Sequence, residues 1–274
     1  MSTGLEQYPW FDDGSGYQRF LALHERTSPL GQLCCTLADG TPCSVDIEAV
    51  GVAEQPVIPT AQWEPFSLRD KIWWNLDDED QDGENYCWCF SAVQSEMLAR
   101  ECAGLPRKLL SASGLGGFLT GGQNRGGGLD EALGGLMTVG TVTTDVVPNG
   151  NQNPRTYPKD FQAKAKERRI VQAYDCLQSN VFEKLASGIL SGRPGAFGMN
   201  WGRGAHALCA MGLVRQGNDW ALDILGSWGS KAHSGDGTLR LTKSQMPGLA
   251  RFGGYVLGVC SMEADEALPP ALHK

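Results

Sequence analysis

Gln81-Asp82-Gly83-Glu84-Asn85-Tyr86-Cys87-Trp88-Cys89-Phe90-Ser91-Ala92 is the stretch on which the reading of this sequence turns. A polar turn containing glycine runs directly into an apolar segment. Asn85 is a residue type that caps helix N-termini, its side-chain oxygen accepting an amide of the first turn. Phe90, Val93 and Met97 recur at helical spacing and predict a face turned to a core. Gly104 and Pro106 close the segment, so a helix is expected from Asn85 to Ala103. Cys87 then falls in the first turn, where unpaired amides and the helix dipole favour an anion. A thiol placed there ionises more easily and becomes a nucleophile.

A thiolate nucleophile needs a base that takes its proton and later returns it to the leaving group. The sequence offers four histidines. His24 lies in an N-terminal stretch, His273 in the tail and His233 in a glycine-rich loop. His206 opens the apolar run His206-Ala207-Leu208-Cys209-Ala210-Met211-Gly212-Leu213, which reads as a strand. It is the candidate base, the plainer reading being a buried histidine that packs at a strand start.

Gln81, six residues before Cys87, and the text Cys87-Trp88-Cys89-Phe90-Ser91 together resemble the nucleophile segment of papain-like cysteine peptidases. The run from His206 is similar to the family's His-Ala-Val-x-x-Val-Gly-Tyr strand. Gly126-Gly127-Gly128-Leu129-Asp130-Glu131-Ala132 is similar to its Asn-Gly-Gly-x-x-x-Ala segment, and Ser227-Trp228-Gly229 to its Ser-Trp-Gly. The resemblance spans roughly Glu64 to Met262. It implies an α+β protein of two lobes, one helical and one like a β-barrel. It also implies roles: Cys87 as nucleophile, His206 as base and then acid, and Gln81 as oxyanion donor with the Cys87 amide. Gly126, Gly127 and Gly128 would line the substrate cleft, and Trp228 would shield the histidine.

Two departures stand out. Where the family has an asparagine that orients the histidine, this sequence has Gly226, which has no side chain to offer. Asp223 lies three residues earlier on a strand and is expected to face the other way. Asn218 sits in a turn. A water is the expected occupant of the vacated space. The family also bridges a cysteine three residues before the nucleophile to one just before the Gly-Gly segment. Here Glu84 and Arg125 stand at those positions, and a salt bridge between them is expected in place of the disulfide.

Three function classes follow. The first is a cysteine peptidase working with a Cys-His dyad on a peptide or protein substrate. The second is a catalytically weakened relative serving as a structural or binding component of a larger assembly, such as a phage particle, with the N-terminal extension contacting a protein partner. The third is acyl transfer to an amine, or an amidase acting on cell-wall peptides. The Cys-Trp and Ser-Trp-Gly segments favour the first two.

Composition bounds the rest. The 274 residues, 41% of them hydrophobic, can form a substantial core. The net charge is −8 and no block of basic residues stands out, so binding to nucleic acid or to an anionic membrane has no support. Lys164, Lys166, Arg168 and Arg169 read as a solvated helix face. No signal peptide or apolar span is legible, which leads to an expectation of a cytoplasmic protein or a part of an intracellularly assembled particle.

The nine cysteines do not read as a secreted disulfide framework. Cys34, Cys35 and Cys43 have no second ligand pair at zinc spacing, so no metal and no cofactor are expected. Cys89 reads as a small apolar residue, with a redox pair to Cys87 as the other reading.

The chain divides into three parts. Residues 1–62 are an extension and linker, with a short helix at Tyr17–His24 and a hairpin of Gly31–Leu37 with Cys43–Val52 around Asp39-Gly40. Residues 63–147 form the helical part with the nucleophile, including a helix over Leu129–Val139. Residues 148–274 form the β-rich part with His206. That part has a helix near Val181–Ser191 and strands at Gly195–Asn200, His206–Val214, Trp220–Leu225, Thr238–Leu241 and Gly253–Cys260.

Overall fold

A computed structural model describes residues 10–12, 18–20, 23–24, 52–176, 179–201, 204–233, 235–246 and 248–260. The expected hairpin at 31–52 falls almost wholly outside these residues, as do Cys34, Cys35, Cys43 and His273. No helix among the described residues is long and apolar enough to cross a membrane.

The central element is helix α1, Cys87–Cys102. It begins one residue later than its capping signal suggests, with Tyr86 at the N-cap and no side-chain cap. Asn85 has a different task. Its amide donates to Asn124 Oδ1 at 2.7 Å and its Nδ2 donates to the Asn124 carbonyl at 2.9 Å, tying the turn before α1 to the loop before Gly126. Phe90, Val93 and Met97 are buried as expected, but so is every other residue from Cys87 to Arg100. A helix buried on all sides lies inside the molecule instead of on its surface.

Helix α2, Ala112–Thr120, forms within a glycine-rich stretch in which no helix is expected. Ser111 starts it, its Oγ accepting the Gly114 amide at 2.8 Å. Helix α3, Leu129–Thr138, matches its expectation and packs on α1 and α2. The proline- and asparagine-rich stretch that follows leads to helix α4, Phe161–Lys166. Its basic face is only partly solvated. Lys164 pairs with Asp160 at 3.1 Å, whereas Arg168 is buried near Glu96 of α1.

The strands are β1 Trp10–Asp12, β2 Gln18–Phe20, β3 Ala53–Glu54, β4 Phe66–Ser67 and β5 Ile170–Asp175. They continue as β6 Gly195–Trp201, β7 Gly204–Gln216, β8 Asp219–Leu225, β9 Thr238–Thr242 and β10 Gly254–Cys260. β1 and β2 pair antiparallel, so Gln18–Phe20 is strand where a helix is expected. The other eight form one sheet in the order β3-β5-β10-β6-β7-β8-β9, with β4 against β7. All its pairs are antiparallel except β3 with β5.

Alternation along β7 places Ala207, Cys209 and Met211 in the core shared with α1. Leu208, Ala210 and Leu213 join the second core with helix α5, Val181–Leu190. The sheet is therefore covered on both faces, which is why its strands read as continuous apolar runs. Helix α6, Leu249–Phe252, leads into β10. Helices packed against a largely antiparallel sheet make this an α+β protein.

Candidate active site

The site lies where the N-terminus of α1 meets the start of β7. Ser91 Oγ donates to the Leu208 carbonyl at 2.7 Å, and Ser95 Oγ meets Cys209 Sγ at 3.2 Å, fixing helix on strand. One turn back from Ser91 is Cys87, and two residues back from Leu208 is His206. Both candidate residues thus stand at the same end of this contact, and both are fully buried. Cys87 is the first residue of α1, where helix amides lack intrahelical partners and favour negative charge.

Gln81 is held in two directions. Its amide donates to the Ser227 carbonyl at 2.9 Å, and Ser227 Oγ donates to Gln81 Oε1. Gln81 Nε2 donates one hydrogen to the Glu84 carbonyl at 3.0 Å. An amide NH2 has two hydrogens, so its second remains to be used. Ser227 precedes Trp228, so one tripeptide both fixes Gln81 and shields His206. Asp77 reinforces this link, accepting the Ser230 amide at 2.8 Å, and that bond holds its carboxyl below the usual range.

His206 sits in an aromatic cluster. Its ring stacks on Trp228 with centroids 4.4 Å apart and an angle of 27°. Trp201 meets it edge-on at 5.9 Å. His233 joins the same group, stacked on Trp228 at 5.1 Å and edge-on to Trp201 at 5.7 Å. The space left by Gly226 is therefore taken by a side chain where a water is expected. A Cβ built on Gly226 would overlap His233 Nε2 and lie 2.7 Å from its Cδ2. Asp223 is engaged elsewhere, with Arg240 at 3.3 Å.

Of the three glycines, Gly127 carries the tightest constraint. A Cβ there would stand 2.5 Å from Cε2 of Trp88, so only glycine lets the backbone lie on the indole. Trp88 is fixed in turn by Nε1 donating to the Asn85 carbonyl at 3.1 Å. Gly128 is the N-cap of α3, and the Gly126 carbonyl accepts from Arg125 Nη1 at 2.8 Å.

The expected Glu84–Arg125 bridge does not form. Arg125 pairs with Glu131 at 2.5 Å. Glu84 points inward, accepting from Ser113 Oγ at 2.6 Å and Gln152 Nε2 at 2.9 Å. Burial raises the Glu84 carboxyl above its usual range, and these hydrogen bonds partly offset that. Cys89 is fully buried, and burial, followed by the charge of Glu131, pushes its thiol well above the usual range.

The N-terminal stretch contributes what sequence reasoning did not anticipate. Leu23 forms a parallel bridge with Gly127, its amide donating to the Ala205 carbonyl at 3.2 Å. The His24 amide donates to the Gly127 carbonyl at 2.9 Å. The Leu23 side chain is buried in the space that any side chain at Gly198 would need, beside Phe252. A cleft of about 460 Å³ continues from it, lined also by Asn200 and Arg251. Burial and the positive charge of Arg125 lower the pKa of His24.

No family model and no curated protein matches the sequence. Solved structures do match. Xylellain, a cysteine protease from Xylella fastidiosa, aligns with a TM-score of 0.62 at 14% identity, over 86% of this chain and 99% of that one. Digestive procathepsin L 3 of the Tenebrio molitor larval midgut aligns with a TM-score of 0.59 at 16% identity, over 76% of each chain. The bromelain protease of Ananas comosus aligns with a TM-score of 0.54 at 15% identity, over 75% of this chain and all of that one, 100%. The chain has the papain-like cysteine protease fold. At such identities the likeness extends to architecture, and activity has to be argued from the residues.

Proposed function

We propose that this protein is a cysteine peptidase. Cys87 attacks the carbonyl carbon of a peptide amide as its proton passes to His206. The resulting oxyanion is stabilised by the free hydrogen of Gln81 Nε2 and the Cys87 amide. His206 then protonates the leaving amine, and water hydrolyses the thioester.

The observation that carries this reading is the path of Leu23 and His24. An extended piece of chain lies between Gly127 and Ala205, bonded by main-chain amides and seated by one apolar side chain. A groove that holds a peptide backbone in this manner, next to Cys87 and His206, is what a peptidase requires.

Iodoacetamide labelling of Cys87, followed by mass spectrometry across pH, tests it. The expected result is rapid labelling well below the roughly 8.5 pKa of a free thiol, lost in His206→Ala. Slow labelling with one pH profile in both proteins refutes a working pair. That outcome favours the second reading, a binding component without catalysis. The observation behind that reading is a cleft filled by the chain's own Leu23 and leaving Cys87 fully buried.

A further inference from the structure

The stretch of chain that meets Leu23 and His24 is the loop before α3, and its own residues do little to stiffen it. Gly126, Gly127 and Gly128 follow one another, and glycine is the residue type with most conformational freedom to lose. Among the described residues no sheet strand includes them. Yet the Gly127 carbonyl accepts the His24 amide at 2.9 Å and Gly127 bridges to Leu23, which requires a fixed backbone. Groups outside the three glycines have to hold it.

Asn124 fastens the start of the loop to the turn before α1, accepting the Asn85 amide and donating through Nδ2 to the Gly83 carbonyl at 2.9 Å. The Gly127 backbone lies on the Trp88 indole. Arg125 does the rest. Its Nη1 donates to the Gly126 carbonyl at 2.8 Å and to Glu131 Oε2 at 3.3 Å, and its Nη2 donates to Glu131 Oε1 at 2.5 Å. Its guanidinium carbon stands 5.9 Å from the centre of the Trp88 ring. Arg125 and Glu131, in the first turn of α3, therefore close a ring around the three glycines. An exposed ion pair would add little. This one is mostly covered, its side chains 24% and 13% exposed. It also has the two-pronged fit of guanidinium to carboxylate, which fixes direction as well as distance. Burial raises the Glu131 carboxyl above its usual range, and Arg125 foremost, then the Gly128 amide, pull it back. The charge of Arg125 is felt at His24, so the guanidinium stands beside the held segment.

We propose that Arg125 is a positioning residue for peptide binding: its fork, closed on Glu131 and the Gly126 carbonyl, holds the Gly127 carbonyl where the amide of an incoming peptide meets it. The proposal rests on the reading of Gly126, Gly127 and Gly128 as a wall of the substrate cleft. Arg125 takes no part in the chemistry at Cys87. It acts through the loop, whose ordering it completes before a peptide arrives, so that less is lost on binding. It does so at the position where the papain-like family has a cysteine.

Two readings on Arg125→Ala, each with a thermal melt, test it. The first is hydrogen exchange of the His24 amide, followed by NMR with the amides of β7 as reference. It reports the bond to Gly127 directly. Loss of the clamp is expected to speed exchange at His24 by about tenfold and to leave β7 as in the parent. The second is turnover of a fluorogenic leucine-containing peptide amide in a Leu23→Asp background, where the chain's own segment competes less for the cleft. There Arg125→Ala is expected to raise KM by about tenfold with kcat near that of Leu23→Asp alone, since the clamp serves binding and not the transition state. Methylguanidinium chloride, against sodium chloride at equal ionic strength, is expected to reverse part of both effects by refilling the fork, which a merely structural loss would not allow.

Parent-rate exchange at His24, or equal acceleration at His24 and in β7, overturns the proposal. In an active enzyme an unchanged KM overturns it too, whatever happens to kcat, and leaves the peptidase reading standing. If Leu23→Asp turns nothing over, the peptidase reading fails, and exchange at His24 alone decides about Arg125. Should Arg125→Ala not fold, Arg125→Lys decides by the same exchange, since an ammonium keeps the charge without the fork. Acceleration confined to His24 supports the proposal, and the parent rate overturns it.

Discussion

Ser227 shows how much one hydroxyl does in this cleft. It fixes Gln81 by donating to Oε1, while its carbonyl accepts the Gln81 amide at 2.9 Å. Ser227→Ala leaves a buried acceptor unmatched and frees the amide to rotate. The expected cost is about 1–3 kcal/mol of stability. An oxyanion donor works only when it is already aimed, so kcat/KM on a fluorogenic leucine-containing peptide amide should fall by about tenfold or more. Alkylation of Cys87 forms no oxyanion, so its labelling rate should be unchanged. Equal losses in both assays would place Ser227 in folding instead of in oxyanion binding. Gly226→Asn alone is the complementary case. The new side chain meets His233 head-on, and a loss of about 1–3 kcal/mol is expected from overpacking in a melt, a loss the added His233→Gly should reverse.

At the scale of elements, the network that stands in for a disulfide is a set of buried carboxyls. Glu84 ties the turn before α1 to Ser113 of α2 and to Gln152, and Glu79 accepts from Asn149 Nδ2 at 3.0 Å. Burial holds the Glu79 carboxyl well above its ordinary 4.5, with Asp78 and Glu84 adding to the rise. A raised carboxyl pKa means the folded state keeps a proton that the unfolded chain gives up above about pH 4.5. Stability from this group is therefore present below that pH and lost as pH rises towards the folded value. Glu79→Gln, neutral at every pH, should flatten the decline in melting temperature as the pH rises above 4.5. An unchanged slope would show that Glu79 is not the group responsible.

The same elements show what a sequence discloses. α1, α3, α5 and the strands from Gly195 onward were legible because apolar spacing and their Gly and Pro boundaries agreed. α2 was not, because Ala112–Thr120 contains three glycines and its helix is held by burial on all sides instead of by propensity. β5 was missed because its burial does not alternate. Cys87, His206, Gln81 and Trp228 could be picked out from local text. His233 could not, since its place depends on a loop returning to a gap that the sequence shows only as Gly226. The Glu84–Arg125 pairing failed for a related reason. Opposite charges at two positions do not reveal that one of them, Glu84, is turned into a polar interior.

On the scale of the whole molecule, the N-terminal chain and the cleft form one unit. β1 and β2 pair with each other, and Leu23 then crosses from Ala205 at the start of β7 to Gly127 just before α3. Cys87 is fully buried, so a reagent reaches it only from an open form, and the labelling rate is the rate of that form multiplied by its population. Burying a leucine side chain is worth about 1.5–3 kcal/mol. Leu23→Asp loses that burial and places a charge against Phe252 and Gly198, while the two main-chain bonds can still form. Each 1.4 kcal/mol changes an equilibrium by about tenfold. If the open form is the minor one, Leu23→Asp should speed Cys87 labelling by about tenfold or more, and a bulky maleimide should gain more than iodoacetamide. A rate unchanged for both reagents would mean that the Leu23 contact does not control access, and that the burial of Cys87 comes from other walls of the cleft.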